Sequence, residues 1–419
     1  MPPEETVKIS SNGSGGIYKP TPRFQNRYLT QASYRKLDIV EILGAGNDAA
    51  HSFLARARWH HLPEGEQQCP YCARRGAHYF SAGRRLWKCR NTDCRRQFTV
   101  FSGTMLHSTK LEPVKFLSIA IHFMEAKDSI SAREVSGLHK LNHVPVHVLL
   151  LKFREAIRET MLAEPKLSGK IQADAAYFLK YVRPKNVGTG ASVAAKNARK
   201  KAGITEPEKQ SYNISPRMHA LVVFVQVDKG GGRRYKVAKV KTETQVDALN
   251  LALDFCEPLS TITTDQHKSY ILLSGAFIRK KVNHSQEFVT KTGIHTNHAE
   301  GFFSRVRHSQ AGAWHQVSLQ YLEEYGWEMC WRQQVVGLPN DKQLQDLLGR
   351  LFAVGPSKRF GNYWGKQPRG EKPDPEDSGI VVEIDKSEVK KRRGRPRKSS
   401  TRPSSTVGET SPGSTPIES

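Results

Sequence analysis

The apolar positions divide the chain into a helical N-terminal half and a C-terminal part in which strands and helices alternate. In residues 35–60 and 114–162, apolar side chains recur every three or four positions, which is typical of amphipathic helices. Three helices are predicted in the second stretch, and Ser131 followed by Glu134 forms a capping-box signature before the middle helix. The short Asn-His-Val-Pro connection between the last two helices indicates a helix-turn-helix.

Strand patterns begin near residue 170. Three stretches are rich in β-forming residues and are bounded by breakers: 170–182, 218–228 and 233–241. They are followed by a helical pattern, the short buried strand "STITT", a second helix in "HKSYILLSGA" and the amphipathic helix "LQYLEEYGWEMCWRQQ". This succession predicts an α/β domain over residues 165–355.

The composition at both ends differs from that of the middle. Polar residues with Gly, Ser and Pro dominate the start, and Lys, Arg, Pro, Ser, Glu and Gly dominate the end, so both are expected to be disordered. We accordingly divide the chain into five parts. A flexible N-terminus (1–34) is followed by a helical lead-in with a cysteine cluster (35–110) and a helical DNA-binding region (111–164). The α/β domain (165–355) and a basic tail (356–419) complete the chain.

The charge balance points to a polyanionic partner. The 419 residues include 65 Lys and Arg against 40 Asp and Glu, a formal net charge of +25. Such an excess is most often associated with nucleic acid. No apolar run is long enough for a membrane span, and the first residues lack the apolar core of a signal peptide. We therefore expect a cytoplasmic, nucleoid-associated protein with no membrane partner.

Four of the six cysteines are clustered in the pattern of a zinc ribbon. Two short pairs flank a segment of hairpin length with Gly83 at the expected turn, and the four thiolates are Cys69, Cys72, Cys89 and Cys94. Four convergent thiolates suit tetrahedral Zn²⁺, and the small module predicts a structural rather than a catalytic ion. Basic residues, Arg84 and Arg85 among them, crowd this segment, which favours DNA contact over a merely solvated face.

Three carboxylates lie at positions where chemistry is expected. Asp174 is in the middle of a predicted strand, where an unpaired charge is costly. Asp265 follows the buried strand "STITT", and the ends of strands are where open α/β sheets place ligand groups. Glu300 follows 35 residues later on a predicted helix. Alone, Asp265 could cap a helix and Glu300 could be a surface acid, but together the three could hold two Mg²⁺ or Mn²⁺ ions for phosphodiester chemistry.

The linked motifs resemble those of bacterial insertion-sequence transposases that join an N-terminal zinc ribbon to a DDE-type, ISXO2-like transposase domain. The similarity is carried by "CPYC", "CRNTDCRRQFTVFSGTMLHSTKL", "ADAAYF", "TTDQHKSY", "HTNHAEGFFSRVRH" and "YLEEYGWEMCWR", over roughly residues 35–335. The resemblance implies an RNase H-like mixed α/β fold that cuts and joins double-stranded DNA at element ends. It also implies a homo-oligomer on DNA, because two ends must be held together.

The resemblance assigns Asp174 and Asp265 to the first two catalytic positions and leaves two candidates for the third. Glu300 supplies the acid, whereas Asn297 falls in the family motif "TNxxEG" and could bind metal through its amide oxygen. Arg305 and Arg307 on the same predicted helix are expected to contact DNA phosphate. The acid and Thr that usually follow the first Asp are Ala175 and Ala176 here, which leaves a domesticated, inactive descendant open.

The basic tail contains a further DNA-binding candidate. Arg393-Gly394-Arg395-Pro396 resembles an AT-hook, in which an extended Arg-Gly-Arg enters a narrow A·T minor groove; a generic basic tail is the alternative. Two other functions remain open beside the transposase: a non-catalytic zinc-ribbon and AT-hook DNA-binding regulator, and a structure-directed nuclease without strand transfer.

Overall fold

The N-terminal part of the chain contains helices that precede and follow a small cluster of strands in the sequence. The computed structural model describes residues 34–179, 218–228, 232–282, 295–314 and 317–360. Helices α1 and α2 precede the strands, and α3, α4 and α5 follow them; their bounds are Ile39–Gly44, Gly46–Arg58, Pro113–Glu125, Ala132–Leu138 and His143–Ala163. The three helices predicted after residue 113 are confirmed. The connection between the last two is 139–142 and not the expected Asn-His-Val-Pro stretch, because Pro145 is accommodated in the first turn of α5. The Ser131 hydroxyl accepts a hydrogen bond from the backbone N–H of Glu134 at 3.0 Å, as the capping-box signature predicts.

The cysteine-rich segment contains five short strands in two small sheets. Strands β1 and β2 pair with each other, and β3, β4 and β5 form an antiparallel sheet; their bounds are Gln67–Gln68, Arg75–Gly76, Tyr79–Ser81, Leu86–Lys88 and Gln97–Phe98. The predicted hairpin between β3 and β4 is present. Its left-handed residue is Arg85, with φ 47°, and not Gly83.

A five-stranded mixed sheet forms the centre of the C-terminal part. Its strands β6, β7, β8, β9 and β10 span Lys170–Leu179, Met218–Val227, Arg233–Val240, Thr261–Thr264 and Ile278–Lys281. The order across the sheet is β10-β9-β6-β7-β8. Strands β6, β7 and β8 are antiparallel neighbours, whereas β9 is parallel to β6 and β10 is parallel to β9. The mixed sheet is therefore as expected, with the edge strand β10 in addition.

Helices cover this sheet and connect it to the N-terminal part. Helices α6, α7, α8 and α9 span Gln245–Phe255, Asn297–Ser309, Leu322–Val335 and Asn340–Ala353. The helix expected at 267–276 is a 3₁₀ helix, Lys268–Gly275. Helix α8 packs on β8 closely, because a Cβ at Gly326 would lie 3.2 Å from Val237 Cγ1. A larger residue at Gly326 would therefore require the Val237 side chain to shift by a few tenths of an ångström.

Helix α8 is also joined to the N-terminal helices by buried charge. Glu328 is fully buried and accepts hydrogen bonds from Arg154 Nε of α5 at 2.6 Å and from Arg332 Nε at 2.9 Å. The Arg332 guanidinium donates to main-chain carbonyls at the end of α3, among them Ala126 at 2.6 Å. Two arginines thus compensate one buried carboxylate, and Arg332 also satisfies carbonyls that the end of α3 leaves free. Within the described ranges, no helix has the length and apolar character needed to cross a membrane.

Candidate active site and zinc-binding ribbon

The four clustered cysteines converge on one point. Their sulfur atoms all lie within 4.8 Å of one another. Cys69 Sγ and Cys94 Sγ are 3.8 Å apart, and Cys72 Sγ and Cys89 Sγ are 3.5 Å apart. Sulfurs bound to one zinc at about 2.3 Å would be separated by roughly 3.8 Å, so the arrangement fits tetrahedral Zn²⁺.

Backbone hydrogen bonding and burial shift the pKa values of two of these thiols in opposite directions. The backbone N–H of Arg74 lowers the pKa of Cys72 to about 7, whereas burial raises the pKa of Cys89 to about 12.

Gly103 with φ 74° lies against Pro70 of the first cysteine loop, and a Cβ there would be 2.6 Å from the Pro70 Cβ. The segment after the ribbon therefore packs directly onto the loop between Cys69 and Cys72, and only glycine fits that approach.

The surface of the ribbon combines arginines with exposed aromatic rings. Arg90 stacks over Tyr79 and Arg96 over Tyr71, with guanidinium-to-ring distances of 4.8 and 5.1 Å. Of the two arginines singled out in the sequence, Arg84 is exposed, whereas Arg85 forms an ion pair with Asp48 at 2.6 Å. Arg84 is thus the more accessible of the two.

The register of the large sheet brings the first two predicted acids to the same level. Strand β6 pairs with β9 in parallel up to Gln172 and Thr263, and Asp174 and Asp265 each follow two residues later. Adjacent strands are about 4.8 Å apart, so the Asp174 position in the middle of β6 and the turn that follows β9 lie at the same level of two neighbouring strands. Arg279 on β10 donates to the main-chain oxygen of Asp265 at 3.0 Å and so helps to fix the turn after β9.

The pKa of Asp174 depends on its burial and on the acids around it. Burial, followed by the charges of Asp265, Glu243 and Glu300, raises this pKa from 3.8 to about 6, against a hydrogen bond from the backbone N–H of Ala175. Three carboxyl groups from other parts of the chain therefore lie close enough to act on Asp174. Like charges collected in this way favour a bound divalent cation, and oxygen ligands suit Mg²⁺ or Mn²⁺.

Helix α7 carries the two candidates for the third position. Glu300 is half-buried, and its Oε1 accepts a hydrogen bond from the Thr296 hydroxyl at 2.9 Å. Asn297 is exposed at the first residue of the helix. The start of this helix is attached to β6 by Gln172, which accepts from the backbone N–H of His298 at 3.0 Å. Gln172 was not predicted from the sequence, in which it is only one polar residue of a strand.

Glu243 is the second residue that the sequence did not indicate. It lies between β8 and α6, its side chain is 7% exposed, and its charge contributes to the raised pKa of Asp174. In the sequence it belongs to the polar segment "KTET", which has the composition of a solvated loop. A signal could have come only from its position at the start of a helix that follows the third strand.

The remaining predicted residues are placed less centrally or lie outside the described residues. Arg305 and Arg307 are exposed on α7. Arg393 and Arg395 of the AT-hook-like segment fall outside the described ranges, as do residues 1–33 and 361–419 of the two ends expected to be disordered. The first residues of the expected tail are ordered, because Phe360 is buried and its backbone N–H donates to the Ser357 hydroxyl at 2.8 Å. Among the described residues, only the four cysteines bring three or more metal-binding atoms within 4.8 Å; the acids are near one another without forming so tight a group.

Comparison with known proteins agrees with the two modules. The chain matches the model of the transposase zinc-ribbon domain over residues 46–97 and that of the ISXO2-like transposase domain over residues 166–334. No curated protein matches it.

Solved structures give only a weak likeness. A Mos1 transposase paired-end complex with left transposon end is 11% identical, with a TM-score of 0.18, and 56% of this chain and 79% of that chain are covered. The Mos1 strand transfer complex is 10% identical, with a TM-score of 0.17 and coverage of 52% and 76%. At such TM-scores the likeness supports no conclusion about this chain. The two family matches, which together span just over half of the chain and occur in the order of the modules, identify it as a member of the insertion-sequence transposases with an N-terminal zinc ribbon and an ISXO2-like transposase domain.

Proposed function

We propose that the protein is a DDE-type DNA transposase that binds the ends of an insertion element, cleaves DNA strands there and transfers them to a target. The observation that carries this proposal is the parallel register of β6 and β9, in which Asp174 and Asp265 each follow the last paired residues, Gln172 and Thr263, by two positions. The order β8-β7-β6-β9-β10, with three antiparallel strands followed by two parallel ones, supports an RNase H-like fold for residues 165–355.

Asp174, Asp265 and Glu300 are the residues that would hold Mg²⁺ or Mn²⁺. The fit rests on their oxygen donors and on the raised pKa of Asp174, which is caused by burial first and by the charges of the neighbouring acids second. Bound divalent ions in such a site activate an attacking hydroxyl and stabilise the leaving oxygen of a phosphodiester. The chain's own contribution is to align these carboxylates on a rigid sheet and to bring Glu300 to them on α7.

Glu300 is the better supported candidate for the third ligand. Its charge is among those that raise the pKa of Asp174, and it is half-buried on the helix that Gln172 attaches to β6. Asn297 is exposed one helical turn earlier. Residues three positions apart share a helix face, so Asn297 lies on the same face of α7 as Glu300 and would support the metal site from there.

DNA would be contacted by four parts of the chain. The zinc ribbon offers Arg84 and the stacked Arg90 and Arg96, and helix α7 offers Arg305 and Arg307 beyond Glu300. Helices α4 and α5, joined by a connection of four residues, would provide a helix-turn-helix for recognition of the element ends. The tail arginines Arg393 and Arg395 would add minor-groove contacts, and a homo-oligomer would hold two ends.

A cleavage and joining assay on terminal-repeat DNA tests this function. With Mg²⁺, the intact protein should nick and join strands, and Asp265→Asn should lower the rate at least about a thousandfold because one metal ligand is lost. Replacement of Glu300 by Gln and of Asn297 by Ala, separately, identifies the third ligand. Unchanged activity in Asp265→Asn would refute the catalytic assignment. Binding without any cleavage by the intact protein would favour the DNA-binding regulator, and cleavage without joining would favour the nuclease.

A further inference from the structure

Glu243 is a buried acid that the three-carboxylate assignment does not use. It comes directly before Thr244, the N-cap of α6, and its side chain is 7% exposed. A carboxylate this buried is costly unless its oxygens are hydrogen-bonded or a cation is close. Its contacts therefore indicate what it does.

A chain of hydrogen bonds connects Glu243 to the turn that carries Asp265. The Ser269 hydroxyl donates to Glu243 Oε1 at 2.8 Å, and Ser269 Oγ lies 2.7 Å from His267 Nδ1. The backbone N–H of His267 in turn donates to Asp265 Oδ1 at 3.0 Å. Glu243 thus holds the far end of the turn whose near end is the second acid.

The main chain of Glu243 is fixed to the strand of the first acid. Its backbone N–H donates to the Tyr177 hydroxyl at 3.2 Å, and Tyr177 lies on β6 three residues after Asp174. Glu243 is therefore attached to both elements that carry the paired aspartates. A residue in this place can set the separation of the two carboxylates.

The charge of Glu243 also reaches the site. Tyr270 is 1% exposed, and its hydroxyl makes no hydrogen bond of normal geometry within the described part of the chain. Burial, then Glu243, and then Asp174 and Asp265 raise the pKa of Tyr270 well above its ordinary range. The buried hydroxyl thus faces the same group of acids, with Glu243 exerting the strongest influence of the three.

We propose that Glu243 is a positioning residue of the active site, which fixes the Asp265 turn through Ser269 and adds a fourth negative charge to the divalent-cation site. The inference rests on the proposed function, because it concerns the same carboxylates. It differs from a purely structural role for Glu243 in predicting an effect of charge on cation affinity that persists when the hydrogen bond is retained.

Two variants separate the charge from the hydrogen bond. In Glu243→Gln the amide oxygen still accepts from Ser269 while the charge is removed, whereas Ser269→Ala removes the hydrogen bond and keeps the charge. Asp254→Asn is the matched control, because Asp254 is an exposed acid at the C-terminal end of α6, whereas Glu243 precedes the N-cap of that helix. Mn²⁺ binding to the full chain without DNA is measured by calorimetry, together with thermal unfolding and the Mg²⁺ dependence of strand cleavage.

Glu243→Gln should weaken Mn²⁺ binding roughly five- to tenfold, the size expected for loss of one charge several Å from a divalent ion. Ser269→Ala should lower the cleavage rate at saturating Mg²⁺ and weaken Mn²⁺ binding less than Glu243→Gln does. Asp254→Asn should match the wild type in both measurements.

Mn²⁺ binding by Glu243→Gln within twofold of the wild type, while Asp265→Asn loses it, would overturn this inference alone. Equal loss of cation binding and of thermal stability in Glu243→Gln and Ser269→Ala would also overturn it, because that result indicates a purely structural role. Mn²⁺ binding unaffected by Asp265→Asn would overturn the proposed metal site itself, and the two failures are therefore distinguishable.

Discussion

The Gln172 carboxamide oxygen accepts the backbone N–H of His298 at 3.0 Å, so strand β6 is bonded to the first turn of helix α7. The same carboxamide meets His295 Nδ1 through its nitrogen at 3.2 Å. Side chains two residues apart point to the same face of a strand, so Gln172 and Asp174 share the face on which α7 lies. This amide therefore helps to set the position of Glu300 relative to Asp174, together with the buried packing of Phe303 against Phe178 of β6.

Replacement of Gln172 by Ala should lower strand cleavage about tenfold to a hundredfold, because small displacements of a catalytic group have effects of that size. Thermal unfolding and cleavage rate are measured together. Gln226→Ala is the matched control, since Gln226 is a buried glutamine of β7 that bonds the backbone of Ser168 at 2.9 Å. The two variants should lose similar stability, and only Gln172→Ala should lose cleavage; equal rates in both would contradict the positioning role.

Replacement of Asp174 by Asn should stabilise the metal-free protein above pH 6. The carboxyl has a pKa near its ordinary 3.8 in the unfolded chain and of about 6 in the folded one. The folded chain thus binds the proton more tightly, and stability is lost as pH rises through this window. The gain in Asp174→Asn should be about 3 kcal/mol at pH 7.5 and about 0.5 kcal/mol at pH 4, as measured by urea unfolding in a chelator. An equal gain at both pH values would show that the effect is not electrostatic.

Removal of one cysteine of the ribbon should remove the zinc. Purified protein should contain one zinc ion per chain, and Cys72→Ser should contain less than about a tenth of that, because structural zinc requires its four ligands. Metal content is measured by colorimetric titration after denaturation. Cys256→Ala, which removes a buried thiol outside the cluster, should keep its zinc. Zinc retained in full by Cys72→Ser would contradict the four-thiolate site.

Replacement of Glu328 by Gln should destabilise the fold by about 3–5 kcal/mol, because Arg154 and Arg332 would be left buried without a compensating charge. Glu323→Gln provides the comparison, since Glu323 pairs with Arg158 at 3.4 Å on the partly exposed part of the same helix. That pair should contribute less than about 1 kcal/mol. Both values come from denaturant unfolding, and similar losses in the two variants would be inconsistent with a special role for the buried pair.

Much of the fold could be predicted because its periodicity is strong. The apolar strands β6, β7 and β9 and the helices α3, α5 and α8 bury long apolar stretches, and these stretches dominate the pattern. Strand β10 was missed because it is an edge of four residues, "IRKK", without apolar alternation. The type of helix at 268–275 is decided by packing against its neighbours, which no local pattern records.

The candidate site was predictable only in part, for a similar reason. Asp174 and Asp265 stand out because a charge inside or directly after a buried strand is unusual. Gln172 and Glu243 act through contacts with residues 126 and 26 positions away, His298 and Ser269. In the hairpin of the ribbon, Arg85 rather than Gly83 has the positive φ, and the Arg85 side chain pairs with Asp48 of α2. Such tertiary contacts leave no local trace in the sequence.

The attachment of α8 to both halves has a consequence for how chains of this kind could diversify. Arg332 bonds carbonyls at the end of α3, and Glu328 holds Arg154 of α5, so the helices before residue 165 complete the environment of a helix that belongs to the transposase domain. A recombination event that exchanged only the N-terminal segment would remove Arg154, one of the two arginines that pair with Glu328. It would also remove the carbonyls at the end of α3 to which Arg332 donates. New recognition modules would therefore be inherited together with matching positions on α8, and the two parts of this chain would evolve as one unit.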